Sequence, residues 1–183
     1  GKGEQGTFKG VVVAGVGASA AAGMILLDAL EDKINTPFLV VRDWHPPSFV
    51  KRNTMVITVS YSGETPETLS LFLEAVKRGC AVVGVTSGGR LLKYCRKLGI
   101  PCVELPRAFK VSRMALYDMS AAIYKVLREA GVLERVKLVD NMVKTLRQAR
   151  ERVKPSREVE KNPAKQMATQ VYGTIPLIYG TSC

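Results

Sequence analysis

Three serine or threonine hydroxyls and a glycine lie within residues 60–65, between an apolar run and a segment of helical pattern. The apolar run 55–59 is typical of a buried parallel strand, and Pro66 is typical of the first turn of a helix. The free amides of that turn and the hydroxyls of Ser60, Ser62 and Thr65 would surround a dianion at the positive end of the helix dipole. The segment therefore predicts a phosphate site, although the same residue types also cap helices that bind no ligand.

Two further turns rich in glycine and hydroxyl residues follow apolar runs. Residues 15–19 (Gly-Val-Gly-Ala-Ser) come after the run 11–14, and residues 86–89 (Thr-Ser-Gly-Gly) come after the run 81–85. In an open α/β sheet, the carboxyl ends of the parallel strands share one edge, and ligands bind there. We therefore expect both turns to lie beside residues 60–65.

Strand and helix patterns alternate through the first part of the sequence. Short apolar runs predict strands at 11–14, 38–41, 55–59, 81–85 and 102–105. Helical spacing predicts helices at 20–30, 66–78 and 91–98. This alternation predicts an α/β fold in which helices flank a doubly wound parallel sheet.

The last part of the sequence is predominantly helical in pattern. Further elements are predicted in the order helix 114–130, helix 134–153, helix 163–172 and strand 175–180. The short segment 154–157 has the composition of a linker. The final strand opens into another turn of glycine and hydroxyl residues, as the first strand does. We therefore expect an N-terminal domain over 1–154, and over 155–183 a linker and the beginning of a second similar domain.

The formal net charge of +11 raises the question of nucleic-acid binding. Much of the excess lies over residues 125–157, where lysine and arginine alternate with glutamate and aspartate along helical segments. Such mixed runs are typical of solvated helix faces. We therefore expect no nucleic-acid partner, and a basic surface that attracts a phosphorylated metabolite.

Cysteine usage and hydropathy indicate the compartment. The four cysteines, Cys80, Cys95, Cys102 and Cys183, form no Cys-x-x-Cys pair, and the sequence has one histidine. Free thiols and no metal site are expected, except that hyperthermophiles do form intracellular disulfides. No apolar run reaches the roughly 20 residues of a membrane span, and the first residues lack a signal-peptide layout. A cytoplasmic protein without a membrane partner is the expectation.

The first glycine turn also has a competing interpretation. Residues 15–20 fit the dinucleotide fingerprint G-x-G-x-x-A, and Asp43 closes the next strand at the expected distance. An NAD(P)-binding domain is therefore an alternative. Against it, a dinucleotide site does not require the second hydroxyl segment at 60–65, whereas a sugar phosphate does. His45, which precedes two prolines, is interpreted as a structural loop residue.

The three turns 15–19, 60–65 and 86–89 together resemble the sugar isomerase (SIS) domain. Within that class, the sequence is most similar to the archaeal bifunctional phosphoglucose/phosphomannose isomerases. Residues 41–45 and 53–57 add to the likeness, and residues 105–116 resemble the proline- and arginine-bearing loop that precedes a helix in the family. The resemblance covers nearly the whole chain.

The resemblance implies which residues would hold a phosphorylated hexose. The sugar would lie against Gly17, Ala18 and Ser19, the phosphate against Ser60, Ser62 and Thr65, and Arg113 would stabilise the enediolate. It also implies a homodimer and an aldose–ketose isomerisation without metal or cofactor, between glucose or mannose 6-phosphate and fructose 6-phosphate. The resemblance further implies that the base glutamate, the ring-opening histidine and a lysine of the family would lie beyond Cys183.

Two residues depart from the family's pattern. Ala18 stands where glycine is usual, and its methyl group lies where backbone approaches ligand. Glu64 stands where asparagine is common, and its carboxylate would repel a phosphate unless it faces solvent or a cation. The resemblance also leaves a second function open, namely a SIS module that senses a phosphosugar without turning it over.

Overall fold

The computed structural model describes residues 8–134, 138–177 and 179. The chain forms two compact units, residues 1–134 and residues 135–183. All the strands of the described residues lie in the first unit, as do all the predicted site residues.

A sheet of five parallel strands forms the centre of the first unit. The strands are β1 (Gly10–Ala14), β2 (Phe38–Val41), β3 (Thr54–Val59), β4 (Ala81–Thr86) and β5 (Cys102–Glu104). Their order is β2-β1-β3-β4-β5, and every neighbouring pair is parallel. The chain moves from β1 outward to β2 and then returns to β3 on the other side of β1, so the predicted doubly wound α/β fold is confirmed.

Helices cover both faces of this sheet. They are α1 (Ala18–Leu30), α2 (Pro66–Lys77), α3 (Gly89–Leu98) and α4 (Leu116–Glu129). Both β1 and β3 are buried along their whole length, as central parallel strands are when helices lie on each face. These strands therefore read as continuous apolar runs, which is why their limits are predicted to within one residue.

The two faces have separate packing partners. Val12 and Val56 belong to one buried cluster with Phe72 of α2 and Leu91 of α3. Val13 points to the opposite face because side chains alternate along a strand. There α1 approaches so closely that a Cβ on Gly23 would lie 2.9 Å from Val13 Cγ1.

Two cysteines meet above the fourth strand. A Cβ on Gly84 would lie 2.6 Å from Cys95 Sγ and 3.2 Å from Cys102 Sγ, so both sulfur atoms lie close to the backbone of Gly84. Hydrogen bonding to Cys95 and burial raise the pKa of the Cys102 thiol. Cys80, Cys95 and Cys102 are free, as predicted, whereas Cys183 lies outside the described residues.

The helix predicted from residue 114 begins differently from the expectation. A 3₁₀ turn spans Ser112–Ala115, and the α-helix α4 starts at Leu116. Arg113 and Met114 therefore lie in a tight, exposed turn before the helix, which agrees with the position expected for Arg113 and differs from that expected for Met114. Apolar periodicity alone does not distinguish the two, because 3₁₀ turns commonly precede α-helices.

Within its described residues, the second unit holds two α-helices, α5 (Leu138–Arg152) and α6 (Pro163–Val171), and a 3₁₀ turn at Val159–Lys161. Asn162 caps α6, since its Oδ1 accepts hydrogen bonds from the amides of Ala164 and Lys165. The strand predicted at 175–180 is wrong for residues 175–177 and 179, which are not in a strand. A strand needs a ladder of hydrogen bonds, and no such pairing reaches these residues. Residues 178 and 180 lie outside the described ranges.

Candidate phosphate site

The three predicted turns lie at one edge of the sheet. The first turn (residues 15–19) follows β1 and the hydroxyl loop (residues 60–65) follows β3, its neighbour at the point where strand order reverses. A Cβ on Gly15 would lie 3.1 Å from the carbonyl oxygen of Val59. The glycine turn (residues 86–89) follows β4, and Ser60 N donates to Val85 O at 3.0 Å. The structure thus brings the three segments together.

The hydroxyl loop is organised around Ser60. This side chain is buried, and its Oγ lies 2.9 Å from Thr65 Oγ1 and accepts a hydrogen bond from Gly63 N at 3.1 Å. Ser62 is exposed, and its Oγ accepts from Glu64 N at 3.2 Å. Ser60 therefore shapes the loop from inside, whereas Ser62 faces outward and Thr65 is half-buried between them.

The first turn of α2 lacks a side-chain cap. Thr65 is the N-cap residue, but its hydroxyl is directed to Ser60 and makes no capping hydrogen bond. Pro66 at the first helical position has no N–H group. The amides of Glu67 and Thr68 are consequently among the helix donors that have no intrahelical partner. This helix end, with the positive end of its dipole, suits an anion.

The first turn provides backbone rather than hydroxyl groups. Gly17 is the N-cap of α1 with φ of 58°, and no atom lies within 4 Å of the position of a Cβ. Ala18 is half-buried at the start of the helix. Ser19 is buried, and its hydroxyl donates to Met119 Sδ of α4 at 3.5 Å. In this arrangement the Ser19 side chain contacts α4, and the surface of the turn is formed by Gly17 and its neighbours.

The glycine turn is interlocked with the hydroxyl loop. A Cβ on Gly63 would overlap the carbonyl oxygen of Gly88, and a Cβ on Gly89 would overlap that of Ser62. Ser87 donates to Tyr61 O through both its amide, at 3.0 Å, and its hydroxyl, at 2.6 Å. The hydroxyls of this turn therefore bond to the protein's own backbone and act as a support for the hydroxyl loop.

Glu64 faces a cation. Its Oε2 lies 2.5 Å from Arg90 Nε, and its Oε1 accepts a hydrogen bond from Arg90 N at 2.8 Å. The hydrogen bonds from the Arg90 side chain and amide lower the pKa of the Glu64 carboxyl. From the sequence, the Glu64 carboxylate is expected to be tolerated beside a phosphate if it faces solvent or a cation. In the structure it does both, since it is half-exposed and pairs with Arg90. Arg90 is a site neighbour that sequence reasoning missed, because it lies 26 residues away.

Tyr61 is a second residue that sequence reasoning missed. It is buried, and its hydroxyl donates to Pro106 O at 3.1 Å and accepts from Phe109 N at 3.0 Å. These bonds tie the hydroxyl loop to the segment that leads to Arg113. The sequence signal for this role was a tyrosine among small hydroxyl residues. A buried tyrosine hydroxyl usually has a polar partner, so Tyr61 could have been expected to bond to another segment.

The remaining candidate residues from the sequence, namely Arg113, His45 and Asp43, are exposed. Arg113 is exposed in the 3₁₀ turn before α4, and it makes no ion pair within the described ranges. His45 is exposed in the loop after β2. Asp43 Oδ1 accepts from the neighbouring Trp44 N. The strand order also differs from the 3-2-1-4-5-6 order of dinucleotide-binding domains, which disfavours the NAD(P) alternative.

The described residues show neither a metal-binding cluster nor a membrane-spanning helix. No group of three or more histidine, cysteine, aspartate or glutamate side chains there is arranged to hold a metal ion. Among the helices of the described ranges, none combines the length and apolar character that a bilayer span requires.

Comparison with known proteins gives relatives but no matching family model. The chain is 35% identical over 173 residues to a bifunctional phosphoglucose/phosphomannose isomerase of Caldicellulosiruptor bescii, covering 94% of this chain and 51% of the relative. It is 35% identical over 181 residues to the protein of the same name from Thermoplasma acidophilum, covering 97% and 51%. The chain thus spans about half the length of the curated relatives it matches.

A solved structure shares the fold. Tagatose-6-phosphate ketose/aldose isomerase from Escherichia coli superposes with a TM-score of 0.54 at 17% identity, over 91% of this chain and 44% of that one. The chain therefore has the fold of the SIS phosphosugar isomerases. By sequence it is a homologue of the bifunctional phosphoglucose/phosphomannose isomerases, which confirms the resemblance stated from the sequence.

Proposed function

We propose that this chain is the phosphosugar-binding half of an aldose–ketose isomerase that interconverts glucose 6-phosphate and mannose 6-phosphate with fructose 6-phosphate. One observation carries the proposal: a loop of three hydroxyl residues precedes the uncapped N-terminus of α2 at the switch point of the sheet. The names of the relatives at 35% identity support the same substrates. The NAD(P)-binding alternative has no comparable support.

In this proposal the residues divide into three groups. The phosphate is held by Ser62, Thr65 and the free amides of α2, and the buried Ser60 positions Thr65 through the hydrogen bond between their hydroxyls. The sugar lies against Gly17, Ala18 and Ser19, with Ser19 contributing backbone because its hydroxyl contacts Met119. Arg113 is placed near the reacting carbons, where its charge stabilises an enediolate; its exposure leaves it able to turn toward substrate.

The base that moves the proton between C1 and C2 is proposed to lie outside these 183 residues. Glu64 is the acidic residue within the hydroxyl loop, but its carboxylate is paired with Arg90 and its pKa is lowered. A carboxylate with a lowered pKa is a poorer base at neutral pH. The coverage of about half of each relative leaves room for a base in the remainder of a longer protein.

Binding measurements test the phosphate site. We expect fructose 6-phosphate, but not fructose, to bind in isothermal titration. Ser60→Ala and Ser62→Ala should each weaken binding by about 0.5–3 kcal/mol, the range for hydrogen bonds to neutral and charged partners. Ser70→Ala is the matched control, since Ser70 lies in α2 beyond the first turn and outside the hydroxyl loop. Equal binding by all three variants would contradict the proposed site.

Turnover separates the two candidate functions. Coupled assays should detect no glucose or mannose 6-phosphate from fructose 6-phosphate with the 183-residue chain, and both products with a longer natural chain. Turnover by the 183 residues alone would contradict the proposed position of the base. Phosphosugar binding without turnover by the longer chain would instead favour a sensor module.

The oligomer, compartment and domain limits are part of the same proposal. We infer a cytoplasmic homodimer in sugar-phosphate metabolism, with an N-terminal SIS domain over 1–154 and the start of a second domain over 155–183. Exposed aromatic side chains support an interface, among them Trp44 and Phe49, which are 48% and 58% exposed. Sedimentation equilibrium should give twice the chain mass, and a monomer at micromolar concentration would contradict this.

A further inference from the structure

We propose that Glu64 and Arg90 are a pair of positioning residues that fix the hydroxyl loop for phosphosugar binding and cancel the loop's own negative charge. This inference deepens the proposed function and rests on it. It concerns residues that do not touch the reacting carbons, and it explains how a carboxylate is tolerated in a loop built for a dianion.

Three contacts join the two residues. Arg90 Nε lies 2.5 Å from Glu64 Oε2, Arg90 N donates to Glu64 Oε1 at 2.8 Å, and Arg90 Nη2 donates to the carbonyl oxygen of Glu64 at 3.3 Å. Both the side chain and the backbone of Glu64 are therefore bound by one residue. Such multiple contacts fix orientation more strongly than a single exposed ion pair does.

The pair also occupies the N-terminus of α3. Gly88 is the N-cap of that helix and offers no side-chain cap, so the Glu64 carboxylate supplies the acceptor that the Arg90 amide needs. A carboxylate is favourable there because of the helix dipole. The end of α3 is thus filled by the protein's own anion, whereas the end of α2 is not capped by a side chain.

Electrostatics gives the pair its second role. Glu64 is separated from the first residue of α2 only by Thr65, and an unpaired carboxylate there would repel a bound phosphate. In water, a unit charge at about 6 Å from a dianion lowers affinity by roughly tenfold. The Arg90 guanidinium compensates that charge, so the loop presents donors to the phosphate without a net negative charge.

Two variants and their combination separate charge from shape. Arg90→Gln leaves the Glu64 charge uncompensated, Glu64→Gln removes it while keeping an acceptor for Arg90 N, and the double variant has neither charge. Arg96→Gln is the control, because Arg96 lies on the same helix and pairs with exposed Glu104 at 2.9 Å. Affinity for fructose 6-phosphate is measured by isothermal titration at low salt.

We expect R90Q to bind about tenfold more weakly than the unaltered protein. The double variant should recover to within about threefold, and R96Q should be unchanged. Equal affinities of R90Q and R96Q would overturn the inference. A double variant as weak as R90Q would overturn the charge-cancelling role, because removing the second charge would then restore no affinity.

Amide hydrogen exchange without ligand gives an independent readout. Leu91 N donates to Gly63 O at 3.0 Å, so these amides report on the junction between the two segments. R90Q should speed exchange at Gly63 and Leu91 by about threefold or more, equivalent to one modest hydrogen bond, and R96Q should not. If the unaltered protein bound no fructose 6-phosphate, the proposed function would fail, and equal exchange in both variants would separately overturn the positioning role.

Discussion

The helices α2 and α3 both follow turns of similar composition, but they differ in whether a side chain accepts hydrogen bonds from their N-terminal amides. Each follows a strand of the sheet and a turn of glycine and hydroxyl residues. At α2 the N-cap Thr65 makes no capping bond, and its hydroxyl is held by Ser60. At α3 the amide of Arg90 is already bonded to the carboxylate of Glu64. One helix end is therefore ready for an external anion, and the other is filled by an internal one.

This difference shows that composition does not identify a ligand-binding turn. The glycine turn directs Ser87 to the backbone of Tyr61 and Thr86 to that of Gly88. The hydroxyls of the glycine turn therefore stabilise the backbone of that turn and of the hydroxyl loop. A hydroxyl-rich turn at the carboxyl edge of a sheet binds a ligand through those donors that have no acceptor within the protein. The acceptor of each donor therefore decides whether the turn is a ligand site.

The largest effect is expected from breaking the interlock between the two segments. Gly63→Ala would place a Cβ against Gly88 O and 2.8 Å from Thr86 Oγ1, at a φ of 70°. We expect a loss of about 3 kcal/mol or more in the free energy of unfolding, from left-handed backbone strain and overpacking together. Urea denaturation measures this loss.

Gly99→Ala is the control for that measurement. Gly99 has a similar φ of 65°, and no atom lies within 4 Å of its Cβ position. It should lose only about 1–2 kcal/mol, the cost of backbone strain alone. Equal losses at the two glycines would mean that the turns are not tightly packed.

A smaller effect is expected from loosening the hydroxyl loop on its other side. Tyr61→Phe removes the bonds to Pro106 O and Phe109 N, and should cost about 1–2 kcal/mol of unfolding free energy. Tyr94→Phe is the matched change, since Tyr94 is half-buried and stacks on Phe72. Thermal and urea unfolding compare the two variants, and a Tyr61 variant no less stable than the Tyr94 variant would contradict this anchoring.

The smallest effect concerns the titration of Glu64. Its pKa is lowered by the Arg90 side-chain and amide hydrogen bonds, with a minor attraction from Lys93. A lowered pKa in the folded state means that the pair stabilises the protein at neutral pH and loses this contribution as pH falls through the folded pKa. The carboxyl carbon signal in NMR should titrate below the ordinary value of about 4.3, and closer to that value in R90Q, which loses the side-chain hydrogen bond but keeps the amide hydrogen bond. Coincident titration curves would show that Arg90 does not hold the carboxylate.

The sequence predicted the five strands of the sheet and the meeting of the three turns at one edge of it. The strands β1 to β5 are found within one residue of their predicted limits. The central strands β1 and β3 are continuous apolar runs because they are buried on both faces. Which residues of the site hydrogen-bond to one another could not be predicted from the sequence. Pairs such as Ser60 with Thr65 depend on loop conformation, and Glu64 with Arg90 depends on contact between segments 26 residues apart. The strand predicted at 175–180 is wrong at residues 175–177 and 179 for a related reason, since an apolar run needs a partner to become a strand.

An amide chemical-shift titration with fructose 6-phosphate tests the difference between the two helix ends most directly. The account predicts the largest shifts at Ser62, Glu67 and Thr68, around the uncapped end of α2, with small shifts at Gly89 and Arg90. Inorganic phosphate should shift the same amides at higher concentration. Dominant shifts at Gly89 and Arg90, with Glu67 and Thr68 unmoved, would contradict the proposed phosphate site.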